Sequence, residues 1–322
     1  MTTSPSSTRG VQVLVLVPAR NEAARLPRTL AALAVAVDAA RERGFAVHVV
    51  VIAHRCTDDT AAVAAAAGVD VVRCDHGEGK VAALLAGLQA TGTVGDSDVV
   101  HVVVDADVIA GPRTLRDIVV AVAEGEALAA APPLHPEPPR RWTPLSWVLW
   151  RYNRARGFAS SPPWLSGRCY AVAGLAFPDE AALRARSEAA GADDDPLLRP
   201  AHALLADDVW LSRALVARGG PGAVQHVDTD AVVFAPPATA AGMYAYFLRL
   251  TRELRRVDRL FPELPRPPPR RSAPGTLADR IAWAGFAAAL AVCRLRLRVD
   301  EARARRGAAL DAWPVVLEGK QP

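Results

Sequence analysis

The chain has 322 residues, 51% of them hydrophobic and 22% charged, so it can bury a sizeable core, and wholesale disorder is excluded. A formal net charge of +4 favours anionic partners without singling out nucleic acid, and no Lys/Arg run is interleaved with aromatics as single-strand binding requires. Four scattered cysteines, Cys56, Cys74, Cys169 and Cys293, form no CxxC and suit a reduced, cytoplasmic setting.

Residues 1–10, "MTTSPSSTRG", read as a disordered polar tail with no apolar leader segment. "VQVLVLV" (11–17) is a continuous apolar run and reads as a buried strand. Pro27 fits the first turn of the helix that follows, and Gly44 fits its stop. "AVHVVVIA" (46–53) is a second strand, followed by a helix with Thr57 and Asp58 as capping candidates. "VDVVR" (69–73) and "DVVHVVV" (98–104) are further strands. Helices over 79–92 and from "GPRTLRDIVVAVAEG" come after them. Four strand–helix alternations predict an α/β, doubly wound, mostly parallel sheet.

Beyond residue 131 the pattern changes. A Pro-rich connection and an aromatic stretch, "LSWVLWRYNRARGF", precede a strand at 167–174. Residues 187–202 read as a loop in which Asp193 to Asp195 form a solvated charge run. Helices are expected over 206–220 and 239–261, with the strand "AVVFAPP" between them. "PELPRPPPRRSAPG" is a linker to a C-terminal Ala/Arg helix. "IAWAGFAAALAVC" (281–293) is too short and Ala-rich to span a bilayer. The expected division is a first α/β half, 11–131, a second half of the same domain, 132–261, and a linker with a helical extension, 262–322.

In doubly wound sheets, ligands bind beyond the carboxyl ends of the strands. Those ends carry "PARNE", "HRCTDD", "CDHGEGK" and "DAD", all polar. Asp105 and Asp107 close the fourth strand. Like charges this close need a cation, a proton or water. In an extended segment, side chains two apart point the same way, so the pair can ligate a Mg²⁺ or Mn²⁺ ion that also holds a diphosphate. A lone DxD is as readily a capping pair after a strand, and it is the polar company that favours the ion.

Residues 11–43 contain no glycine, which argues against a P-loop and against the Gly-rich opening of sugar nucleotidyltransferases. "GEGKVA" (77–82) matches GxGxxA but follows the third strand, and position 81 is Val. Lys80 and nearby helix-start amides facing an anion is the better reading. His54, Cys56, Cys74 and His76 raise a zinc option, although their one-residue spacing is not the usual one. Asp207 and Asp208 open a helix. They suit its dipole, and one of them suits general-base work on a hydroxyl. Most of Arg249, Arg252, Arg255 and Arg256 should be solvated, with one or two reaching a phosphate or lipid headgroup.

Taken in order, "VPARNEAARL", "AHRCTDDTA", "GKVAALLAGL", "VVDAD" and "ADDVWLSR" resemble a family-2 glycosyltransferase with the GT-A fold over roughly residues 11 to 260. The resemblance implies a nucleotide-sugar donor, a divalent cation and inverting transfer to a hydroxyl. Pro18, Ala19, Asn21 and Glu22 would line the nucleobase and ribose. Asp105 and Asp107 would hold metal and diphosphate, and Asp208 would be the base. Asp207 stands where the family often has Glu. Gly167, in "SGRCYAVAG", and Trp210 fall on the acceptor side. His54 stands on the donor side where the family commonly has an aspartate that contacts uracil, so the base identity stays open. The QxxRW signature of processive synthases is missing, and "VVFAPP" offers no histidine as a third metal ligand. A non-catalytic nucleotide-sugar binder, a peripheral membrane module using the basic late helices, and a nucleotidyltransferase remain as alternatives.

Overall fold

A computed structural model describes residues 11–156, 164–195, 198–266 and 274–305. The expected disordered tail, part of the Pro-rich linker and the last residues lie outside these. The first half alternates β1 (Gln12–Ala19), α1 (Leu26–Glu42), β2 (Ala46–His54), α2 (Thr60–Ala66), β3 (Asp70–Cys74), α3 (Gly79–Thr91), β4 (Val99–Val104) and α4 (Thr114–Ala123). The second half holds β5 (Ala129–Ala131), β6 (Leu134–Pro136), α5 (Pro144–Arg156), β7 (Cys169–Ala173), α6 (Glu180–Ala189), α7 (Asp207–Gly219), β8 (Val224–His226), β9 (Val232–Phe234), α8 (Ala240–Leu260) and α9 (Leu277–Arg305).

Seven strands form one sheet in the order β3-β2-β1-β4-β7-β5-β8, and β6 pairs with β9 separately. The first four are mutually parallel, while β7 runs antiparallel to both β4 and β5. The sheet is therefore mixed and mostly parallel. β1 and β4 are covered on both faces, which is why each reads as an unbroken apolar run. Successive side chains serve opposite cores. Leu14, Leu16 and Ile52 pack with Leu84 and Leu88 of α3, whereas Val13, Val15, Val17 and Val51 pack with Leu30 and Leu33 of α1 and Ile118 of α4. Gly87 lets α3 lie close to the sheet, since a Cβ there would come within 2.9 Å of Ile52.

β1 is the switch point. The chain moves outward from it to β2 and β3, then returns to its other side as β4, opening a crevice at the strand ends.

Several expectations are corrected. Asp59, not Thr57 or Asp58, is the N-cap of α2, and Asp58 instead accepts from the Thr60 amide and hydroxyl. The aromatic stretch is helix α5, and the proposed loop from 187 begins as the end of α6. Only part of the α8 expectation survives. Arg252 and Arg256 are buried, Arg255 pairs with Glu301 at 2.7 Å, and Arg249 alone of the four lines the crevice. Among the described residues, no helix is long and apolar enough to cross a membrane.

Candidate active site

The crevice encloses about 330 Å³ and is lined by the ends of β1, β2 and β4 and the starts of α3 and α7. Pro18, Ala19, Glu22, His54, Lys80, Asp105, Asp107, Gly167, Asp207 and Asp208 all face it. The sequence-derived donor, metal and base residues thus converge, with two exceptions. Asn21, in the left-handed region at φ 56°, uses its Oδ1 to accept from the Thr57 amide at 2.8 Å and does not line the crevice. Trp210 points from α7 into an aromatic cluster with Phe177 and Phe261, at 5.7 and 5.9 Å between ring centres, away from the crevice.

Lys80 lies at the centre. Its ammonium sits 2.7 Å from Asp105 Oδ1 and 3.1 Å from Asp207 Oδ2, and it donates to the Gly167 carbonyl. Burial works against the charge, but the two carboxylates outweigh it and hold the lysine above its ordinary range. Gly79 makes this placement possible. It has φ 79°, and a Cβ there would meet the Leu205 backbone at 2.5 Å. The Lys80 amide donates to the Leu205 carbonyl at 3.0 Å, so that amide is not offered to an anion as the sequence suggested. "GEGK" is a docking turn that draws α3 against the segment leading into α7.

The two acidic pairs differ in setting. Asp107 pairs with Arg25 at 3.2 Å, and both side chains are partly exposed. The turn between the two acids is fixed from both sides: the Asp105 amide donates to the Arg168 carbonyl at 2.8 Å, and the Thr29 hydroxyl donates to the Ala106 carbonyl at 2.9 Å. Asp207 is buried and accepts from the Tyr170 hydroxyl at 2.6 Å. Burial raises its carboxyl to about 6; Lys80 pulls it down, while Asp208 and Asp105 push it up. The same burial, with Asp207 adjacent, holds the Tyr170 phenol well above its usual range and keeps it a donor. Asp208 accepts from the Gly167 amide at 3.0 Å and, among the described residues, makes no other hydrogen bond. A Cβ at Gly167 would press on Asp207 Oδ1 at 3.0 Å, so a residue without a side chain suits this clamp.

The rim is basic. Arg20, Arg25, Arg168 and Arg249 face the crevice, and Arg168 lies 3.9 Å over the Phe234 ring. Burial opposes ionisation of Tyr246, yet Arg168, Arg156 and Arg249 hold its phenol below the ordinary value. Burial is the chief cause that lowers the His54 imidazole below its ordinary value, and its Nε2 lies 3.1 Å from the His76 carbonyl. Arg25 and Arg168 lie in the turns that lead into α1 and β7, and Tyr170 and Tyr246 lie within β7 and α8; none of the four carried a sequence signal.

A group of three or more His, Cys, Asp or Glu arranged for a metal does not occur among the described residues. The zinc option fails locally as well: Cys56 Sγ donates to the Ala19 carbonyl, and His54 and Cys74 both turn to the His76 carbonyl. Asp105 and Asp107 still fit a hard divalent ion that draws most of its ligands from phosphate and water. Each already has a basic partner, so such a site is neutralised before any ion or donor arrives.

A doubly wound, mostly parallel sheet with an acid-lined crevice at its switch point is the arrangement of the GT-A fold. The family model described as "Glycosyl transferase family 2" matches residues 14–179, and the chain belongs to that family. It is a nucleotide-sugar-dependent glycosyltransferase. Glucosyl-3-phosphoglycerate synthase from Mycobacterium tuberculosis, solved with Mn²⁺, UDP and glucosyl-3-phosphoglycerate, matches with TM-score 0.50 at 18% identity, covering 87% of this chain and 98% of that one. The same protein solved with phosphoglyceric acid matches with TM-score 0.50 at 20% identity, covering 85% of this chain and 92% of that one. Mannosyl-3-phosphoglycerate synthase from Rubrobacter xylanophilus gives TM-score 0.49 at 17% identity, over 80% and 77% of the two chains. Comparison with curated proteins returns no match.

Proposed function

We propose that the chain moves a hexosyl group from a nucleoside-diphosphate sugar to a hydroxyl of an anionic acceptor, with inversion and with Asp208 as general base. The observation that carries this reading is the gathering of Lys80, Asp105, Asp107 and Asp208 around one crevice. The base and ribose of the donor fit along Pro18, Ala19 and Glu22, with His54 beside them. Asp105 and Asp107 would hold Mg²⁺ or Mn²⁺, which when bound supplies positive charge to the departing diphosphate. Lys80 holds Asp105 in place and offers a fixed positive charge of its own. The Gly167 amide orients Asp208, whose free oxygen accepts the acceptor's hydroxyl proton as the oxygen attacks the anomeric carbon. Asp207 is a positioning residue, holding Lys80 and receiving the Tyr170 hydroxyl.

Two features support an anionic acceptor. Arg168 and Arg249 share the rim with Tyr246, whose lowered phenol registers the positive field there. The M. tuberculosis synthase was solved with phosphoglyceric acid, which carries such a group.

Because Lys80 and Arg25 already neutralise the two aspartates, metal affinity should depend on donor phosphates. In calorimetric titration, Mn²⁺ alone should bind weakly, and nucleoside diphosphate should raise its affinity at least about tenfold. Titration of UDP, GDP and dTDP with and without Mn²⁺ also identifies the base. NMR of the glycosylated product decides the stereochemistry: a retained anomer rejects the single-base inverting mechanism. A protein that binds donor but never releases nucleoside diphosphate with any anionic hydroxyl acceptor rejects transfer to this acceptor class.

A further inference from the structure

The outward face of α9 is apolar along its length. Leu277, Ile281, Val292, Leu295 and Val299 are 74%, 52%, 67%, 64% and 44% exposed, and the exposed Ala284, Ala288 and Ala291 fill the positions between them. The steps of three and four residues place all of these on one side of the helix, a stripe of about 33 Å at 1.5 Å per residue. The opposite side, with Phe286, Cys293 and Leu297, packs on α5 and α8, where Phe286 stacks on Tyr152.

Charge is sorted as sharply. Each acid of α9 turns toward the protein. Asp279 pairs with Arg151 at 2.7 Å, Asp300 accepts from the Tyr244 hydroxyl, and Glu301 pairs with Arg255 at 2.7 Å. Arg280, Arg294 and Arg298 flank one edge of the stripe and Arg303 the other. All four are exposed, and none pairs with an acid among the described residues. A second copy laid on this face would bring these arginine edges against one another. An apolar stripe between arginine rows, free of acids, is complementary to an anionic lipid surface, where the apolar face enters the acyl boundary and the arginines meet headgroups.

We propose that α9 docks the protein on anionic membrane surfaces. The proposal is independent of the sugar-transfer chemistry, and of the basic late helices it assigns the contact to α9, since Arg252 and Arg256 of α8 are buried and Arg249 faces the crevice. The test is sedimentation of the full chain with phosphatidylcholine vesicles with and without phosphatidylglycerol. The expected result is co-sedimentation only with the anionic vesicles, weakening as salt rises. Neutralising Arg280, Arg294 and Arg298 to Gln should cost roughly fivefold in partition per residue. Ile281→Glu with Leu295→Glu should reduce binding by more than about tenfold, with an unchanged melting temperature because both side chains are already in water. Failure to bind anionic vesicles, or equal binding to neutral ones, overturns the proposal. So does a concentration-dependent dimer that Leu295→Glu dissociates, which would assign the stripe to a second copy.

Discussion

The end of β4 and the start of α7 each present two aspartates to the same crevice, and they are held in opposite ways. Asp105 and Asp107 are 30% and 40% exposed, with water and two basic side chains to balance them. Asp207 is almost wholly enclosed, wedged between the Lys80 ammonium and the Tyr170 hydroxyl. The first pair is open to solvent, so under the proposed function it could exchange an internal cation for a metal and diphosphate. The second cannot, because removing any member leaves the others buried without compensation. Asp208 stands apart, with one oxygen clamped and one free. Proximity to the crevice therefore does not assign a role to a carboxylate; enclosure and the number of occupied lone pairs do.

Substitutions can break this contrast. Asp208→Asn should lower kcat by about 10²–10⁴-fold while leaving donor affinity within about twofold, measured by nucleoside diphosphate release beside calorimetry. Equal losses in both would place Asp208 among the donor ligands instead. Asp207→Ala should lower unfolding free energy by about 3–5 kcal/mol in urea titration, because Lys80 and Tyr170 lose a buried partner. Adding Lys80→Met should recover part of that loss, whereas additive losses would deny the pairing. At the open pair the stability effect should be small: Asp107→Ala is expected to cost under about 1 kcal/mol, since its partner Arg25 stays partly solvated. Asp105→Ala should instead weaken Mn²⁺-dependent donor binding by roughly 10–100-fold, the scale of lost hydrogen bonds to charged groups.

The contrast is also sharpened through pH. Asp207 has a raised folded value, about 6 against 3.8, so between these the folded state holds the extra proton and its stability rises as pH falls. His101, buried in β4 and lowered to about 4 from 6.5 chiefly by burial, acts the other way: the unfolded state takes the proton, and stability is lost as pH falls through that window. Its Nδ1 accepts from the Leu175 amide at 3.2 Å, a bond that protonation removes. The two contributions oppose each other between about pH 4 and 6. An Asp207→Asn variant should therefore lose stability more steeply on acidification than the wild type, by on the order of 1–2 kcal/mol between urea midpoints at the ends of that range. Parallel profiles would show that Asp207 does not titrate there.

The first half of the fold was legible because its central strands, β1 and β4, are covered on both faces and its helices on one. Valine runs and three-and-four spacing record those two kinds of burial directly. The strand ends followed from the alternation, and with them Asp105, Lys80 and His54; the acids of α7 were read from a helix start and from the resemblance. The second half was less legible. β5 is three alanines and β8 three residues, too short to show a period. The antiparallel course of β7 is not a property of its own residues but of the long excursion through β5, β6 and α5 that precedes it. Trp210 illustrates the limit at the site. It lies two residues beyond Asp208 on the same helix, and a helix turns about 200° over that distance, from crevice to core.

Periodic apolar patterning by itself determined the doubly wound first half of the sheet and the polar strand ends at its switch point, because burial on one face or two leaves a period in the residues. Tertiary structure decided which aspartate is enclosed, that Lys80 sits between Asp105 and Asp207, and that α8 buries Arg252 and Arg256 while α9 leaves Arg280, Arg294 and Arg298 in water. These outcomes depend on partners brought together from separate elements of the chain, and no local spacing records them.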